Sequence, residues 1–412
     1  MVVFTSSDDF TERIVRFFSL YLKWLPSEAC VEDQYRVNTL FFALSGLNLI
    51  STKCHSENAK IFSLCEDIID WVKSNAIYKT NNSQSFNEIN NQELKTIYIK
   101  GFTGGNTFSF VNYKQTESNM HVCNEPHLTM THLCILVNAM HIPDAQLNND
   151  MLISSKACSL FKSLWTSRNA IGDHLKSLQN QDGSISASSS CRQQCDMRFV
   201  YSACSICYCL NIWHSIDTSL LLEFISNCFN FDGGFGFSPG LESHGASTYL
   251  AIASLYLYNS IDEFFQQGKR IDKLLRWCAL RQTEQGGISG RPGKIADSCY
   301  TFWIGASLSI LNRANIINNT SCLQYVTECA HFQRGGFSKF PDTSPDMLHT
   351  FCSLAGITLL MQHHQHSEQS SLVLNEFFCD LKEKADFHAA LCISEKAISR
   401  MNKLKDYLES SI

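Results

Sequence analysis

GGISGRPGKIADSCYTFWIGASL, residues 286 to 308, carries the two markers that decide the fold. It opens on two small residues followed by an apolar one, Gly286-Gly287-Ile288, and closes on a small-residue patch inside an apolar run, Ala306-Ser307-Leu308. The first marker recurs in Asp182-Gly183-Ser184-Ile185, Gly233-Gly234-Phe235 and Gly335-Gly336-Phe337, with its second small positions, 184, 234, 287 and 336, separated by 50, 53 and 49 residues. The second marker recurs in Cys204-Ser205-Ile206, Ala253-Ser254-Leu255 and Ala355-Gly356-Ile357. Its middle positions, 205, 254, 307 and 356, are spaced 49, 53 and 49. Two independent markers keep one period.

A unit of this length, with a Gly-rich turn, a polar lead, a helix of small and apolar residues and then an amphipathic helix, reads as a helical hairpin stacked on its copies. Gly, Ala and Ser let neighbouring helices approach closely, so these helices are expected to form an inner ring. Amphipathic segments such as Ser219 to Phe229 and Ile271 to Arg281 are expected outside it. Phe41 to Ile50 and Thr129 to Val137 read as earlier inner helices. The expected fold is all-α, one α-α toroid over residues 1–412, although length alone suggests two or three domains. Residues 78–95, with the polar run NNSQSFNEINNQ at 81–92, read as a surface loop, and residues 363–412 as a helical tail without repeat markers.

The net charge of −6 over 412 residues, with no long basic block, gives no nucleic-acid footprint. Nineteen cysteines do not indicate a disulfide framework, because the N-terminus lacks a basic stretch leading into an apolar one and many cysteines lie in apolar helical runs. In such runs a thiol acts as a small hydrophobe. Apolar stretches fall short of the ~20 residues that span a bilayer, so the expectation is a soluble cytoplasmic protein with no transmembrane segment.

If the hairpins are equivalent, their inner helices begin on one rim, where free N–H groups and helix dipoles favour anions. Ser243 is then the expected N-cap of one inner helix, with His244 in its first turn. Asp297 is the expected N-cap of the next, with Cys299 an early helical residue, and Pro345 the first helical position of the last, with His349 one turn in. Asp297 and Cys299 lie two apart, roughly 200° around a helix, and so cannot share a helical face. A capping residue and an early helical residue can nevertheless converge on one ion, and Asp, Cys and His make a three-ligand set that leaves a fourth position open on zinc. Taken singly, each has a plainer reading: a simple N-cap, a core thiol, a hydrogen-bonded helix histidine. Equivalence across adjacent hairpins favours the joint reading. Arg291, Lys294 and His244 face the same rim, and Phe235, Phe237, Tyr249, Tyr300, Phe302 and Trp303 supply an aromatic lining. A metal beside cations suits a substrate thiolate on zinc and a departing diphosphate.

At these residues the sequence resembles the β subunits of protein prenyltransferases, most closely those of the geranylgeranyl type I enzymes. The likeness runs from Phe10 to about Gln362 and is strongest from Asp196 onward. It rests on FFALSGL, DMRFVY, GLESHGAST, GRPGKIADSCYTFW and GGFSKFPDTSPDMLHTF. The resemblance implies an α-α toroid that works as a heterodimer with a prenyltransferase α subunit. It implies one zinc on Asp297, Cys299 and His349, and a diphosphate site from His244, Gly245, Arg291, Lys294 and Tyr300, completed by a lysine of the α subunit. Arg198, Tyr249 and Trp303 match positions lining the isoprenoid cavity. The implied reaction joins the cysteine of a C-terminal CaaX motif, as in small GTPases, to geranylgeranyl diphosphate. The zinc-bound substrate thiolate attacks, with no protein nucleophile.

Farnesyltransferases carry an Asp ten residues before the zinc histidine that holds magnesium against the diphosphate. Here Lys339 stands there, and a fixed ammonium makes magnesium dispensable. At the cavity floor Asn38 and Cys352 replace the farnesyltransferase Trp and Tyr, and both are small enough to admit a twenty-carbon chain. Two other readings stay open: a farnesyltransferase β subunit, and a non-catalytic toroid that serves as a binding module. Cys191-Arg-Gln-Gln-Cys195 imitates half a metal site but lacks a second pair, so it reads as a loop.

Overall fold

The computed structural model describes residues 7–23, 36–50, 67–80, 97–103, 125–144, 154–266, 269–362, 374–383 and 386–410. In chain order the helices and strands are α1 (Ser7–Lys23), α2 (Arg36–Ile50), β1 (Ala76–Thr80), β2 (Ile97–Phe102), α3 (Leu128–Met140), α4 (Lys156–Thr166) and α5 (Arg168–Leu178). They continue as α6 (Met197–Leu210), α7 (Thr218–Asn227), α8 (Gly245–Leu257), α9 (Ile261–Gln266), α10 (Arg270–Ala279), α11 (Tyr300–Ile310) and α12 (Asn319–Glu328). The last three are α13 (Met347–Gln362), α14 (Asn375–Glu383) and α15 (Glu395–Ser410).

The helices that carry small-residue patches are α6, α8, α11 and α13. Joined by α2 and α3, each packs on the next and α13 packs back on α2, closing an inner ring of six among the described residues. Burial on all sides explains their composition. Ser205, Ser254, Ser307 and Ser353 are buried, and a Cβ on Gly356 would meet the main chain of Thr301 and Phe302 on α11. The outer helices bury one stripe only, as in α10, where Leu274, Trp277 and Cys278 are buried at helical spacing.

The turn glycines explain how successive hairpins lock. Gly183, Gly233, Gly286 and Gly335 have φ of 83°, 100°, 88° and 78°, a conformation open to glycine at little cost. A Cβ on each would strike the main chain of the next outer helix, at Leu220, Lys273 and Ser321, and for Gly335 at Arg13. The last repeat therefore packs on the first helix. Arg13 reinforces that closure, donating from its guanidinium to the carbonyls of Phe332 and Gln333 at 3.2 Å.

One element was not expected. Strands β1 and β2 pair antiparallel, so residues 78–80 end a strand rather than begin a loop. The sequences AIYKT and IYIKGF are rich in β-branched and aromatic residues, which suits a pleated surface. Residues 81–95 of the expected loop, and 363–373 of the expected tail, lie outside the described residues. The rest of the tail is helical, as expected, in α14 and α15.

The tail crosses the rim opposite the inner-helix N-termini. Helix α14 packs on α13 and α1, and α15 packs on α3 and α4. Arg400 donates to the carbonyl of Met140 at 3.5 Å and Lys405 to that of Tyr208 at 3.2 Å, placing cations at the carbonyl ends of α3 and α6, where the helix dipole favours them. No described helix is long and apolar enough to cross a membrane. The described cysteines are free thiols, most of them buried, and burial pushes Cys204, Cys228, Cys278 and Cys322 up to about 12.

Candidate metal centre

Two rim loops are stitched together just before α11 and α13. Ser298 donates from its amide to the Lys339 carbonyl at 3.1 Å and from its hydroxyl to the Ser338 carbonyl at 2.7 Å. This joins the lead into α11 to the lead into α13. Tyr325 on α12 holds the Ala296 carbonyl from behind at 2.9 Å.

The caps differ from the expectation by one or two residues. Cys299, not Asp297, is the N-cap of α11, and Asp297 accepts its amide through Oδ1 at 3.0 Å. His244, not Ser243, caps α8, its Nδ1 accepting from the Ala246 amide at 3.1 Å. Ser243 is drawn away to Asp232 Oδ1 at 2.6 Å. For α13 the cap is Asp346 rather than a helix beginning at Pro345, because Asp346 Oδ1 accepts the His349 amide at 3.0 Å. For α8 and α13 the cap's own side chain accepts a free N–H, whereas Cys299 makes no side-chain cap bond and Asp297 accepts its amide instead.

These caps bring Asp297, Cys299 and His349 together. One ligand atom from each lies within 4.8 Å of the others, and all three residues are buried. His349 Nε2 faces Asp297 Oδ1 at 3.2 Å, while its Nδ1 is held by Asp346 Oδ2 at 2.6 Å. Sequence reasoning missed Asp346, although a carboxylate three residues before a helix histidine is the spacing that would have pointed to it.

The three side chains perturb one another. Burial works to lower the pKa of His349, but the carboxylates of Asp297 and Asp346 outweigh it and hold it at about 9. Burial would raise Asp297, yet hydrogen bonds from His349 and Cys299 bring it below its ordinary value. Burial, with Cys352 and Asp297 nearby, pushes Cys299 well above a free thiol. A thiol beside a carboxylate becomes a thiolate only when a cation binds there. Nδ1 of His349 is occupied as a donor to Asp346, which leaves Nε2 as the ligating nitrogen. The donor set of one carboxylate, one thiol and one imidazole fits zinc with an open position.

Around it stand the other expected residues. Lys339 Nζ lies 3.7 Å from Asp297 Oδ2, with its side chain about half exposed. Tyr300 is 3.1 Å from His244 Nε2 through its hydroxyl, and a Cβ on Gly245 would meet the Tyr300 ring at 2.8 Å. Burial and neighbouring Arg291 lower the His244 pKa, against Glu242 and Asp297. Arg291 pairs with Glu242 at 3.0 Å, a partner the sequence reading did not include, and Lys294 is exposed in the same loop. The structure thus gathers His244, Gly245, Arg291 and Tyr300 into one cluster and sets Lys339 against the metal centre.

Of the lining residues, Tyr249 and Trp303 pack with rings tilted at 58° and centroids 5.3 Å apart, and Cys352 is fully buried on α13. Asn38 is partly buried on α2. Arg198 differs: its guanidinium pairs with Asp196 at 2.6 Å and is largely exposed, so it belongs to the rim rather than to the inner wall.

The family pattern of the prenyltransferase alpha-alpha toroid domain matches residues 10–393. The chain is 42% identical to the geranylgeranyl transferase type-1 subunit beta of Arabidopsis thaliana over 171 residues, 40% of this chain and 45% of that protein. It is 29% identical to the geranylgeranyl transferase type-1 subunit beta of Dictyostelium discoideum over 351 residues, 84% of this chain and 90% of that one. The chain therefore spans less than half of the first relative and most of the second. Its fold is similar to a chain of the Candida albicans protein geranylgeranyltransferase-I complexed with GGPP, with a TM-score of 0.70 at 21% identity, covering 96% of this chain and 98% of that one. Closed ring, repeat and family pattern agree, and the chain belongs to the prenyltransferase α-α toroid family.

Proposed function

We propose that this chain is the β subunit of a zinc-dependent protein geranylgeranyltransferase type I, active as a heterodimer with a prenyltransferase α subunit. It transfers a geranylgeranyl group from geranylgeranyl diphosphate to the cysteine of C-terminal CaaX motifs, with Leu preferred at the end. The observation that carries this reading is the convergence of Asp297, Cys299 and His349 beside a cationic rim. The free thiols and the absence of a membrane-crossing helix among the described residues fit work in the reducing cytoplasm.

Zinc on Asp297, Cys299 and His349 would keep a substrate thiol, with a free pKa near ~8.5, as a thiolate at neutral pH. The residues around it have separate tasks. Asp346 fixes the His349 ring by holding Nδ1. His244 accepts a backbone N–H at Nδ1, so its neutral ring carries the proton on Nε2 and donates it to the Tyr300 oxygen. The Tyr300 hydrogen is thereby left for a phosphate oxygen. Arg291, Lys294 and Lys339 stabilise charge on the diphosphate as the allylic C–O bond breaks and the C–S bond forms. The sulfur ends as a thioether and diphosphate leaves with the electron pair of the broken bond. The lining of Tyr249 and Trp303 receives the hydrocarbon, with Asn38 and Cys352 leaving room at its far end.

The farnesyltransferase reading is disfavoured by Lys339, which stands where that class places a magnesium-binding Asp. A silent binding module would need a broken ligand set, and this one is complete. The test is co-expression with an α subunit, followed by transfer to peptides ending in Leu or Ser, with C15 and C20 diphosphates, with and without magnesium. Preferred transfer of C20 to the Leu peptide without magnesium is expected. Preferred transfer of C15 to the Ser peptide with a magnesium requirement would reassign the chain to the farnesyl class.

A further inference from the structure

The Arg291–Glu242 pair joins two neighbouring hairpins beside the cluster of His244 and Tyr300. Glu242 stands two residues before His244. The Gly290 carbonyl, one residue before Arg291, accepts the Gly245 amide at 2.9 Å, and a Cβ on Gly290 would overlap the Tyr300 hydroxyl. Guanidinium and carboxylate meet at 3.0 Å, with their side chains 41% and 54% exposed. An exposed pair of this kind holds weakly and exchanges partners readily.

The carboxylate is nonetheless placed by fixed main chain. Before it, the Leu241 amide donates to the Ser238 carbonyl at 3.1 Å, and the Leu241 carbonyl accepts from Asn230 Nδ2 at 2.8 Å. After it, the Ser243 hydroxyl donates to Asp232 at 2.6 Å and the His244 amide to the Phe235 carbonyl at 3.0 Å. Two carboxylates act on the His244 ring, Glu242 and Asp297. Asp297 is buried and engaged by the Cys299 amide and His349, whereas Glu242 is turned to the open rim and to Arg291. An anion is thus already seated on a cation of the expected diphosphate site.

We propose that Glu242 is a placeholder for the diphosphate: it occupies the Arg291 guanidinium while the site is free, yields it when a diphosphate enters and takes it back as diphosphate leaves. The inference rests on the prenyltransferase reading above and adds a residue that sets how tightly diphosphate is held. A carboxylate and a phosphate oxygen compete for the same fork of N–H donors, so the pair subtracts from diphosphate affinity. The carboxylate also repels the incoming anion.

The test uses the full-chain heterodimer and reads the Kd of inorganic diphosphate by calorimetry and its inhibition constant in the transfer assay. Glu242→Gln keeps the shape and removes the charge. It is expected to tighten diphosphate binding about twofold to fivefold, the scale of an exposed ion pair, with the gain shrinking as salt rises. Arg291→Gln is expected to weaken binding, and the double variant to bind no more tightly than Arg291→Gln alone, because the two residues act as one unit. Unchanged or weaker binding in Glu242→Gln overturns the placeholder. So does an equal gain in the Arg291→Gln background, which would make Glu242 a general repulsive charge. Both results leave the transfer activity assigned above in place. A wild-type complex that neither binds diphosphate nor transfers a lipid overturns that assignment and the placeholder with it.

Discussion

A single carboxylate, Asp346, caps α13 through one oxygen and holds the imidazole of His349 through the other. That arrangement fixes both the helix start and the direction of Nε2, which faces Asp297. Asp297 does similar double duty, accepting the Cys299 amide and facing His349. At this scale the clustering of Asp297, Cys299 and His349 was legible because all three sit at the starts of two adjacent inner helices. The identity of each cap was not, because Asp, Ser and His side chains compete for the same free N–H groups and sequence spacing does not rank them. Lys339 offers the sharpest single-residue prediction. It lies 3.7 Å from Asp297 and about half exposed, where the proposed function sets its ammonium against a diphosphate. Lys339→Asp is expected to lower turnover at least about tenfold without magnesium, with recovery as magnesium is added. Steady-state assays across a magnesium series check this, and unchanged magnesium-free turnover would make Lys339 an ordinary surface cation.

Among the elements, the Gly-rich turns set how hairpins stack. Gly286 has a φ of 88°, and a Cβ there would lie 2.5 Å from the Ser321 carbonyl oxygen. Gly293 also has a positive φ, 70°, but a Cβ there meets nothing within 4 Å. Gly293→Ala is therefore expected to cost about 1–2 kcal/mol from backbone conformation alone. Gly286→Ala adds a main-chain clash and is expected to cost roughly 2–5 kcal/mol. Denaturant unfolding of the two variants separates the effects, and equal losses would contradict the stacking role. The four hairpins were readable because two markers kept one period. The β1–β2 pair was not, since the polar run at 81–92 separates two short strands that neither repeat marker flags. Nor was the tail's placement, because Arg400 and Lys405 look in sequence like any exposed cations until they are found on the carbonyl ends of α3 and α6.

Taken whole, the molecule is a ring with unlike ends. At the rim of inner-helix N-termini, capping side chains, helix dipoles and cations gather where an anion and a thiolate would meet. At the opposite rim the tail crosses from α13 and α1 to α3 and α4, and cations satisfy the exposed carbonyls. The polarity follows from the repeat itself: once every inner helix points the same way, donors collect at one end and acceptors at the other. The metal content of the purified heterodimer tests this account most directly. The prediction is one zinc per complex for the wild type, falling at least about tenfold in Cys299→Ala while the two subunits stay together. A folded wild-type complex without zinc, or a Cys299→Ala complex that keeps a full equivalent, would contradict it.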